Sequence, residues 1–319
     1  MTETTFPRSW YPLCCSADLR RGQVIRREAF GLPLAIYRAA SGQVGAMHAE
    51  CAHMGADLSK GAVVGENLQC PLHHWEYNYC GECARIPAYG PPPARARQTA
   101  FTCAEHYGLV YACLGDEPPF PFPHFQDEDP ALYSRASVMD FGTPYQVLAS
   151  NSFDGQHFAT VHHRVLLEPP ALAHLSPYHL SIHFLARVEG GHFHDRLLRA
   201  MGITTVELTA HCWGGNLILA YNARTNSYIM FNVLPLDADR TRIFILNVMS
   251  ANGARSLPRF LRRAVLNISH ALTIAFLKPD IEVMRQLRFH LGVLLPDADH
   301  AFIEWVKYWQ ALLHTAPNS

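Results

Sequence analysis

The chain has 319 residues, of which 49% are hydrophobic and 17% charged, with a formal net charge of −1. This composition predicts a globular protein with room for about two domains, and the absence of a basic field argues against a nucleic-acid partner. The N-terminus, MTETTFPRSW, has neither a basic start nor an apolar run, and no apolar stretch is long enough for a bilayer, so we expect no signal peptide and no membrane span. Nine cysteines, two of them adjacent at Cys14 and Cys15, make a poor disulfide framework and indicate reduced thiols in a cytoplasmic protein.

The first hundred residues read as short extended runs, among them QVIRR, LPLAIYR and QVGAMH, with turns at Gly31 and Ser41-Gly42. This pattern predicts an antiparallel β domain over residues 8–118, closed by the strand YGLVYACLG that begins at Tyr107.

Two short clips of metal-binding residues lie inside this predicted domain. Cys51 and His53 are one residue apart, Cys70 and His73 are two apart, and sixteen residues separate the clips. A [2Fe–2S] cluster with two cysteines on one iron and two histidines on the other is the Rieske arrangement. A structural zinc site is the alternative, but zinc modules usually pair like ligands within each clip. We expect the clips to be hairpin tips that converge on one cluster.

Cys80 and Cys83 form a C-x2-C pair, which alone could indicate a redox dithiol or half of a zinc site. No second C-x2-C exists in the sequence, so we interpret the pair as part of a loop. The proline-rich, acidic stretch that follows predicts an extended linker over residues 119–133, outside any core.

Residues 134–319 are predicted to form a second domain. Five extended runs between Leu180 and Val248 could make one antiparallel sheet. After Pro258 the periodicity becomes helical as far as Leu291, and a last amphipathic helix is predicted from Ala301 to Leu313. The fold class is therefore α+β, and a sheet with long C-terminal helices suits a deep apolar pocket.

A second group of potential ligands opens this domain: Asp154, His157 and His162, in the order D-x2-H-x4-H. Five residues on an ideal helix turn about 500°, so the two imidazoles would share a face only if the helix bends or breaks. Two ordinary polar histidines are the alternative, since the chain has 19 of them. Two imidazoles and one carboxylate on ferrous iron would form the facial triad of non-heme oxygenases.

The sequence resembles the Rieske non-heme iron oxygenases. The likeness runs through SWYPLCCSADL from Ser9, GLPLAIYR from Gly31, both clips, and HHWEYNYCGECARIP, which ends at Pro87. One departure is His74, at a position after the last ligand where the family commonly has Gly. The resemblance implies a START-like helix-grip catalytic domain that follows the Rieske domain.

The resemblance also implies roles for residues in the second domain. The family pattern of Asn, Asp, His and His matches Asn151, Asp154, His157 and His162, and its third iron ligand, an Asp before a helix, matches Asp280. Glu282 is the fallback ligand. Asp154 would bridge His157 to His73 of a neighbouring subunit, which implies a head-to-tail homotrimer.

The implied activity is that of a terminal oxygenase component, which uses O2 at a mononuclear Fe(II). Because the sequence has no G-x-G-x-x-G and no flavin signature, NAD(P)H electrons would come through a separate reductase or ferredoxin. CxHxGAxLxxG from Cys51, HHW from His73 and NxxDxQHxxxVH from Asn151 resemble the aminopyrrolnitrin and 2-aminoimidazole N-oxygenase branch, which belongs to secondary metabolism. This predicts oxidation of a small aryl or heteroaryl amine to hydroxylamine and nitro products.

Two alternatives stay open from the sequence. One is hydroxylation or oxidative demethylation at carbon of a small hydrophobic substrate or natural product. The other is a Rieske electron carrier whose second domain only binds a ligand, with structural roles for His157 and His162.

Overall fold

The computed structural model describes residues 6–115, 117–123, 132–191, 193–200, 202–222, 227–249, 258–285 and 287–314. The chain divides into two compact units. The N-terminal unit comprises Arg8–Pro119 and Leu234–Ala238, and the C-terminal unit comprises Met1–Pro7, Phe120–Val233 and Asp239–Ser319. Among the described residues, no helix has the length and apolar character needed to cross a membrane.

The N-terminal unit is built from short antiparallel strands. They are β1 (Trp10–Cys15), β2 (Val24–Ala29), β3 (Leu32–Arg38), β4 (Val44–His48), β5 (Ala62–Val64), β6 (Asn67–Gln69), β7 (Glu76–Tyr77), β8 (Cys83–Arg85), β9 (Ala100–Phe101), β10 (Cys103–His106) and β11 (Leu109–Cys113). They form three sheets, with the orders β1-β11-β10, β2-β3-β4-β9 and β5-β6-β7-β8. Gly31 and Gly42, with φ of +76° and +106°, make the turns on either side of β3, a backbone region that favours glycine. The predicted antiparallel β domain is confirmed.

The C-terminal unit combines a large sheet with helices. Its strands are β12 (Leu132–Tyr133), β13 (Ser137–Phe141), β14 (Arg164–Leu166), β15 (Ala171–Ser176), β16 (His179–Val188), β17 (Thr205–Trp213), β18 (Leu217–Asn222), β19 (Ser227–Pro235) and β20 (Thr241–Met249). Its helices are α1 (Tyr145–Ser150), α2 (Gly155–Thr160), α3 (Phe193–Ala200), α4 (Arg259–Phe276), α5 (Lys278–Met284) and α6 (His300–His314). The strands form a nine-stranded sheet of order β12-β20-β19-β18-β17-β16-β14, in which β13 also pairs with β20 and β15 with β16.

Two sets of side-chain contacts attach the long helices to this sheet. The Tyr308 hydroxyl on α6 donates to the carbonyls of Tyr178 and Cys212, at 2.7 and 3.3 Å. On α4, His270 contacts Ser137 and Asn247 through its two ring nitrogens, each at 2.9 Å. The predicted α+β class, with one antiparallel sheet and C-terminal helices, is confirmed.

The predicted helical stretch up to Leu291 is wrong in its last part, because α5 ends at Met284. The carbonyl of Leu287 accepts a hydrogen bond from the Thr143 hydroxyl. Residues 287–295 run without regular structure.

The predicted linker over residues 119–133 is only partly described, since residues 124–131 lie outside the described ranges. The expectation that the segment avoids any core is wrong for Phe120 and Phe122, which are both buried. The Phe120 ring lies 5.6 Å from the rings of both Tyr178 and Trp213. Aromatic burial therefore outweighs the tendency of the flanking prolines to keep the segment extended in solvent.

Candidate metal centres

The two clips lie in loops that close in the same way. In the loop after β4, the Cys51 N–H donates to the Ala56 carbonyl at 2.9 Å, and the Gly55 N–H returns to the Cys51 carbonyl at 2.8 Å. In the loop after β6, the Cys70 N–H donates to the Trp75 carbonyl at 2.8 Å, and the His74 N–H returns to the Cys70 carbonyl at 3.1 Å. Each loop thus presents a cysteine at its base and a histidine two or three residues further along.

The loop geometry explains the unusual His74. Gly55 and His74 occupy equivalent positions in the two loops, and their φ angles are +73° and +57°. Glycine adopts this left-handed region without a steric cost, whereas a residue with a Cβ does not. The ring that contacts His53 is that of His73, with 4.8 Å between the ring centroids. This arrangement favours His73 over His74 as the ligand.

The residues of the two clips converge, with buried thiols and exposed imidazoles. Burial raises the pKa of the Cys70 thiol, and the adjacent Cys51 thiol, to which it is hydrogen-bonded, raises it further. The Tyr77 hydroxyl lies 3.2 Å from the Cys51 sulfur. The indole of Trp75 stacks on His53, with centroids 4.3 Å apart and planes 8° apart. Two adjacent thiols and two adjacent imidazoles are the donor set of a Rieske cluster, so these residues fit that group.

In the C-terminal unit, α2 brings the two predicted histidines together because it is short. The Asp154 carboxylate caps α2 by accepting from the His157 N–H at 3.1 Å. The helix ends at Thr160, so His162 lies beyond it. The resulting break turns the two imidazoles towards each other, with centroids 4.7 Å apart. This is the interruption that the five-residue spacing requires.

Asp280 joins the two histidines from a distant part of the chain. Pro279 and Asp280 lie in the first turn of α5, and the two carboxylate oxygens of Asp280 are 2.9 Å from His157 Nε2 and 3.1 Å from His162 Nε2. Burial pushes the pKa of Asp280 up, but the hydrogen bonds from both histidines outweigh it and hold the pKa below its ordinary value. The three ligand atoms lie within 4.8 Å of one another.

These three residues fit a ferrous ion by the chemistry of their donors. A carboxylate and two imidazole nitrogens, nearly excluded from water, converge on one point, and this is the donor set of a facial triad. The Nδ1 of His157 is buried and has no hydrogen-bond partner among the described residues. In this single chain Asp154 contacts the backbone of His157 rather than its ring, and the bridge from Asp154 to a neighbouring subunit stays a prediction.

A cavity of about 400 Å³ lies beside the triad. Its lining residues are Asn151, Asp154, Gln156, His157, Thr160, Val161, Asp280, Val283, Met284, Leu287 and Asp299. Asn151 follows α1 directly and opens the short turn that leads to Asp154. Asp299 is held by the Gln156 amide at 2.6 Å and by the Leu295 N–H at 2.7 Å. Three of the lining residues are aspartates, and none is Lys or Arg.

Other predicted candidates lie elsewhere. Glu282, the fallback ligand, is exposed on α5 and outside the group of potential metal ligands found among the described residues. Cys80 is exposed in the turn after β7, in agreement with the interpretation as a loop, whereas Cys83 is buried as the first residue of β8.

Sequence reasoning missed the aromatic neighbours of these sites. Phe276 stacks on His162 with centroids 4.1 Å apart, and Phe158 stacks on Phe184 at 4.8 Å. Aromatic residues are too common in this chain, with 17 Phe and 13 Tyr, for a single one to stand out. The position of Trp75, two residues after His73, was the one usable signal.

Comparisons with known proteins identify the N-terminal unit. A family model of the Rieske [2Fe–2S] domain matches residues 9–107. Aminopyrrolnitrin oxygenase PrnD of Pseudomonas fluorescens is 33% identical over 171 residues, which cover 50% of this chain and 47% of that protein. The chain spans less than half of the length of the curated relatives that it matches.

Two solved structures share the fold over almost the whole chain. Pseudomonas putida CBB5 NdmA with caffeine has a TM-score of 0.72 at 20% identity, and the match covers 96% of this chain and 91% of NdmA. Dicamba monooxygenase with non-heme iron and dicamba has a TM-score of 0.68 at 19% identity, with 98% of each chain covered. At these identities the similarity shows the fold.

Proposed function

We propose that this chain is a terminal oxygenase component. The premise is that it contains a Rieske domain and has the fold of NdmA and dicamba monooxygenase. The observation that carries the proposal is the convergence of His157, His162 and Asp280 in a chain that also has a Rieske domain. A carrier of electrons needs no second set of ligands, whereas an oxygenase does. The expected setting is the cytoplasm, with NAD(P)H electrons delivered by a separate reductase or ferredoxin.

Cys51, Cys70, His53 and His73 would hold the [2Fe–2S] cluster. Such a cluster accepts and passes on one electron at a time. The buried thiols secure it to the protein, while the exposed His53 and His73 form the side from which an electron can leave. Trp75 supports His53 by stacking and keeps its ring in one orientation.

His157, His162 and Asp280 would hold the mononuclear iron. Ferrous iron bound on one face by two imidazoles and a carboxylate leaves positions open for dioxygen and substrate. The chain keeps Asp280 ionised and both Nε2 atoms directed at one point. Asp154 fixes the start of α2 and thereby the backbone of His157.

The electron path that we propose crosses between subunits. The buried His157 Nδ1 needs a hydrogen-bond partner, since an unsatisfied buried donor carries a desolvation cost. Rotation of the Asp154 carboxylate on association with a second copy would supply that partner and connect it to His73 of the next chain. This arrangement corresponds to a head-to-tail homotrimer.

For the reaction, we propose N-oxygenation of a small aryl or heteroaryl amine to hydroxylamine and nitro products. The similarity to aminopyrrolnitrin oxygenase supports this choice. The cavity beside the triad is compatible with an amine, because its lining has no Lys or Arg that would pair with a carboxylate substrate. Its size is suited to a small molecule.

Oxidation at carbon is the second candidate, and a specific observation favours it. The fold neighbour NdmA was solved with caffeine, a molecule whose N-methyl groups are sites for oxidative demethylation. The same three ligands could serve either outcome, because the choice depends on which substrate atom lies nearest the open positions of the iron.

The test is turnover of a panel of aryl and heteroaryl amines, with N-methylated analogues, in the presence of O2, NADH and a surrogate reductase. Product masses distinguish added oxygen at nitrogen from loss of a methyl group. We expect about three irons per chain, and His157→Ala should lose oxygen consumption while it keeps the cluster absorption. Two irons per chain and no oxygen consumption would identify a carrier instead.

A further inference from the structure

A buried arginine lies directly behind the second histidine of the triad. Arg164, the first residue of β14, is only 5% exposed. Its Nη1 donates to the His162 carbonyl at 2.9 Å. The guanidinium therefore holds the backbone of a proposed iron ligand from a position two residues further along the chain.

A fully buried carboxylate fixes this guanidinium from the other side. Asp195, in the first turn of α3, has no exposed surface, and its Oδ1 is 2.6 Å from Arg164 Nη2. Gly190 makes room for it, because a Cβ at that position would lie 2.1 Å from Asp195 Oδ2. The position of the carboxylate therefore requires glycine at residue 190.

The guanidinium also reaches the ring of His162 through an aromatic neighbour. The Arg164 Cζ lies 5.6 Å from the centroid of Phe276, the last residue of α4. Phe276 in turn stacks on His162, with planes 12° apart. Arg164 thereby supports both the carbonyl and, through Phe276, the plane of the imidazole.

The energetics indicate that the ion pair of Arg164 and Asp195 has a role beyond stability. Burial of both charges incurs a desolvation penalty that their attraction often fails to exceed, so an apolar pair of similar size would stabilise the fold equally well. Arg187 and Glu189, on and just after β16, form an exposed pair in which each side chain is about half accessible, and that pair carries no such penalty.

We propose that Arg164, held by Asp195, is a positioning residue for His162, a role that rests on the proposed function of the triad. It keeps the imidazole in the orientation in which Nε2 faces Asp280. Partners behind metal-binding histidines fix ring orientation, and their removal typically weakens metal affinity about 10–100-fold.

The experiment uses the full-length protein with its Rieske cluster, from which the mononuclear metal has been removed. Anaerobic titration with Co(II) then measures affinity and the visible spectrum of the bound ion, and far-UV circular dichroism with thermal unfolding reports that the C-terminal unit is folded. In Arg164→Met we expect a loss of affinity of about 10–100-fold and an altered Co(II) spectrum. Arg187→Met, which removes the exposed arginine on the neighbouring strand, should bind as the wild type does.

Asp195→Asn provides the second variant, since it removes the charge that holds the guanidinium and keeps the size of the side chain. It should also weaken Co(II) binding, and it tests the role of Arg164 if Arg164→Met does not fold. A variant that unfolds earlier yet binds Co(II) with unchanged affinity and spectrum would show a purely structural role and overturn the proposal. A wild-type protein that binds no metal at the triad would overturn the proposed function itself.

Discussion

The hydroxyl of Tyr77 offers a direct test of the cluster assignment, through the substitution Tyr77→Phe. Tyr77 is fully buried, and its oxygen is 3.2 Å from the Cys51 sulfur. Burial, and next the hydrogen bond with Cys51, raise the pKa of Tyr77 well above its ordinary value. The phenol therefore keeps its proton and donates to the sulfur when Cys51 binds iron as a thiolate.

The sign and size of the expected change in midpoint potential follow from the charge on the Cys51 sulfur. Reduction adds negative charge to the cluster, so a donated hydrogen bond stabilises the reduced state more than the oxidised state. A hydrogen bond to a charged group contributes about 1.5–3 kcal/mol, and if roughly half of that differs between the two states, the increment is about 1 kcal/mol. For a one-electron couple, a tenfold change corresponds to about 59 mV, so Tyr77→Phe should lower the midpoint potential by about 40 mV.

The assay is a redox titration of the full-length protein, followed by the visible circular dichroism of the cluster. Tyr37→Phe is the matched control, because Tyr37 is equally buried but donates to the backbone carbonyl of Glu66 at 3.2 Å. The control should keep the wild-type potential. An unchanged or raised potential in Tyr77→Phe would refute the reasoning that this hydroxyl donates to a cluster ligand.

Three further predictions concern the triad, the second clip and a buried histidine. Asp280→Ala should reduce the iron content from about three to two per chain and abolish turnover without loss of the cluster absorption. Glu282→Ala, at an exposed position on the same helix, is its control. Retained iron in Asp280→Ala would contradict the assignment of Asp280 as an iron ligand. His74→Gly should keep the cluster and raise the free energy of unfolding by up to about 1 kcal/mol, since φ is +57° at this position. His73→Gly should lose the cluster. The reverse result would make His74 the ligand. Burial lowers the pKa of His179 to about 4, so the unfolded chain takes up a proton below pH 6.5 that the folded chain does not, and stability should fall from pH 6.5 towards pH 4. This loss amounts to about 1.4 kcal/mol at pH 5.5, and urea unfolding of His179→Gln should show a correspondingly flatter pH dependence.

Much of the fold followed from local pattern. Strands β2 to β4 and β16 to β20 were predictable because alternating or continuous apolar runs lie between turn residues. The helical periodicity after Pro258 was equally informative as far as Met284 and misleading beyond it. There a hydrogen bond from Thr143, 144 residues away, engages the Leu287 carbonyl, and no local pattern reveals such a partner.

The candidate sites also combine local features, which the sequence shows, with long-range contacts, which it does not. Each clip is a local loop whose two backbone hydrogen bonds join residues no more than five positions apart, so the spacing of Cys51 and His53, or of Cys70 and His73, already implied its geometry. His157 and His162 were recognisable as a pair, but their convergence required α2 to end at Thr160.

The sequence by itself determined which residue types were available for two metal centres and in what order, because ligand spacing within a loop is a short-range property. The family resemblance named Asp280 as the third ligand, but only the tertiary structure showed that this residue, 123 residues after His157, reaches the same point as the two imidazoles. The tertiary structure alone also placed Arg164, Asp195 and Phe276 behind His162. Contacts of that range depend on how the helices pack against the sheet, and packing is a property of the whole core rather than of any stretch of chain.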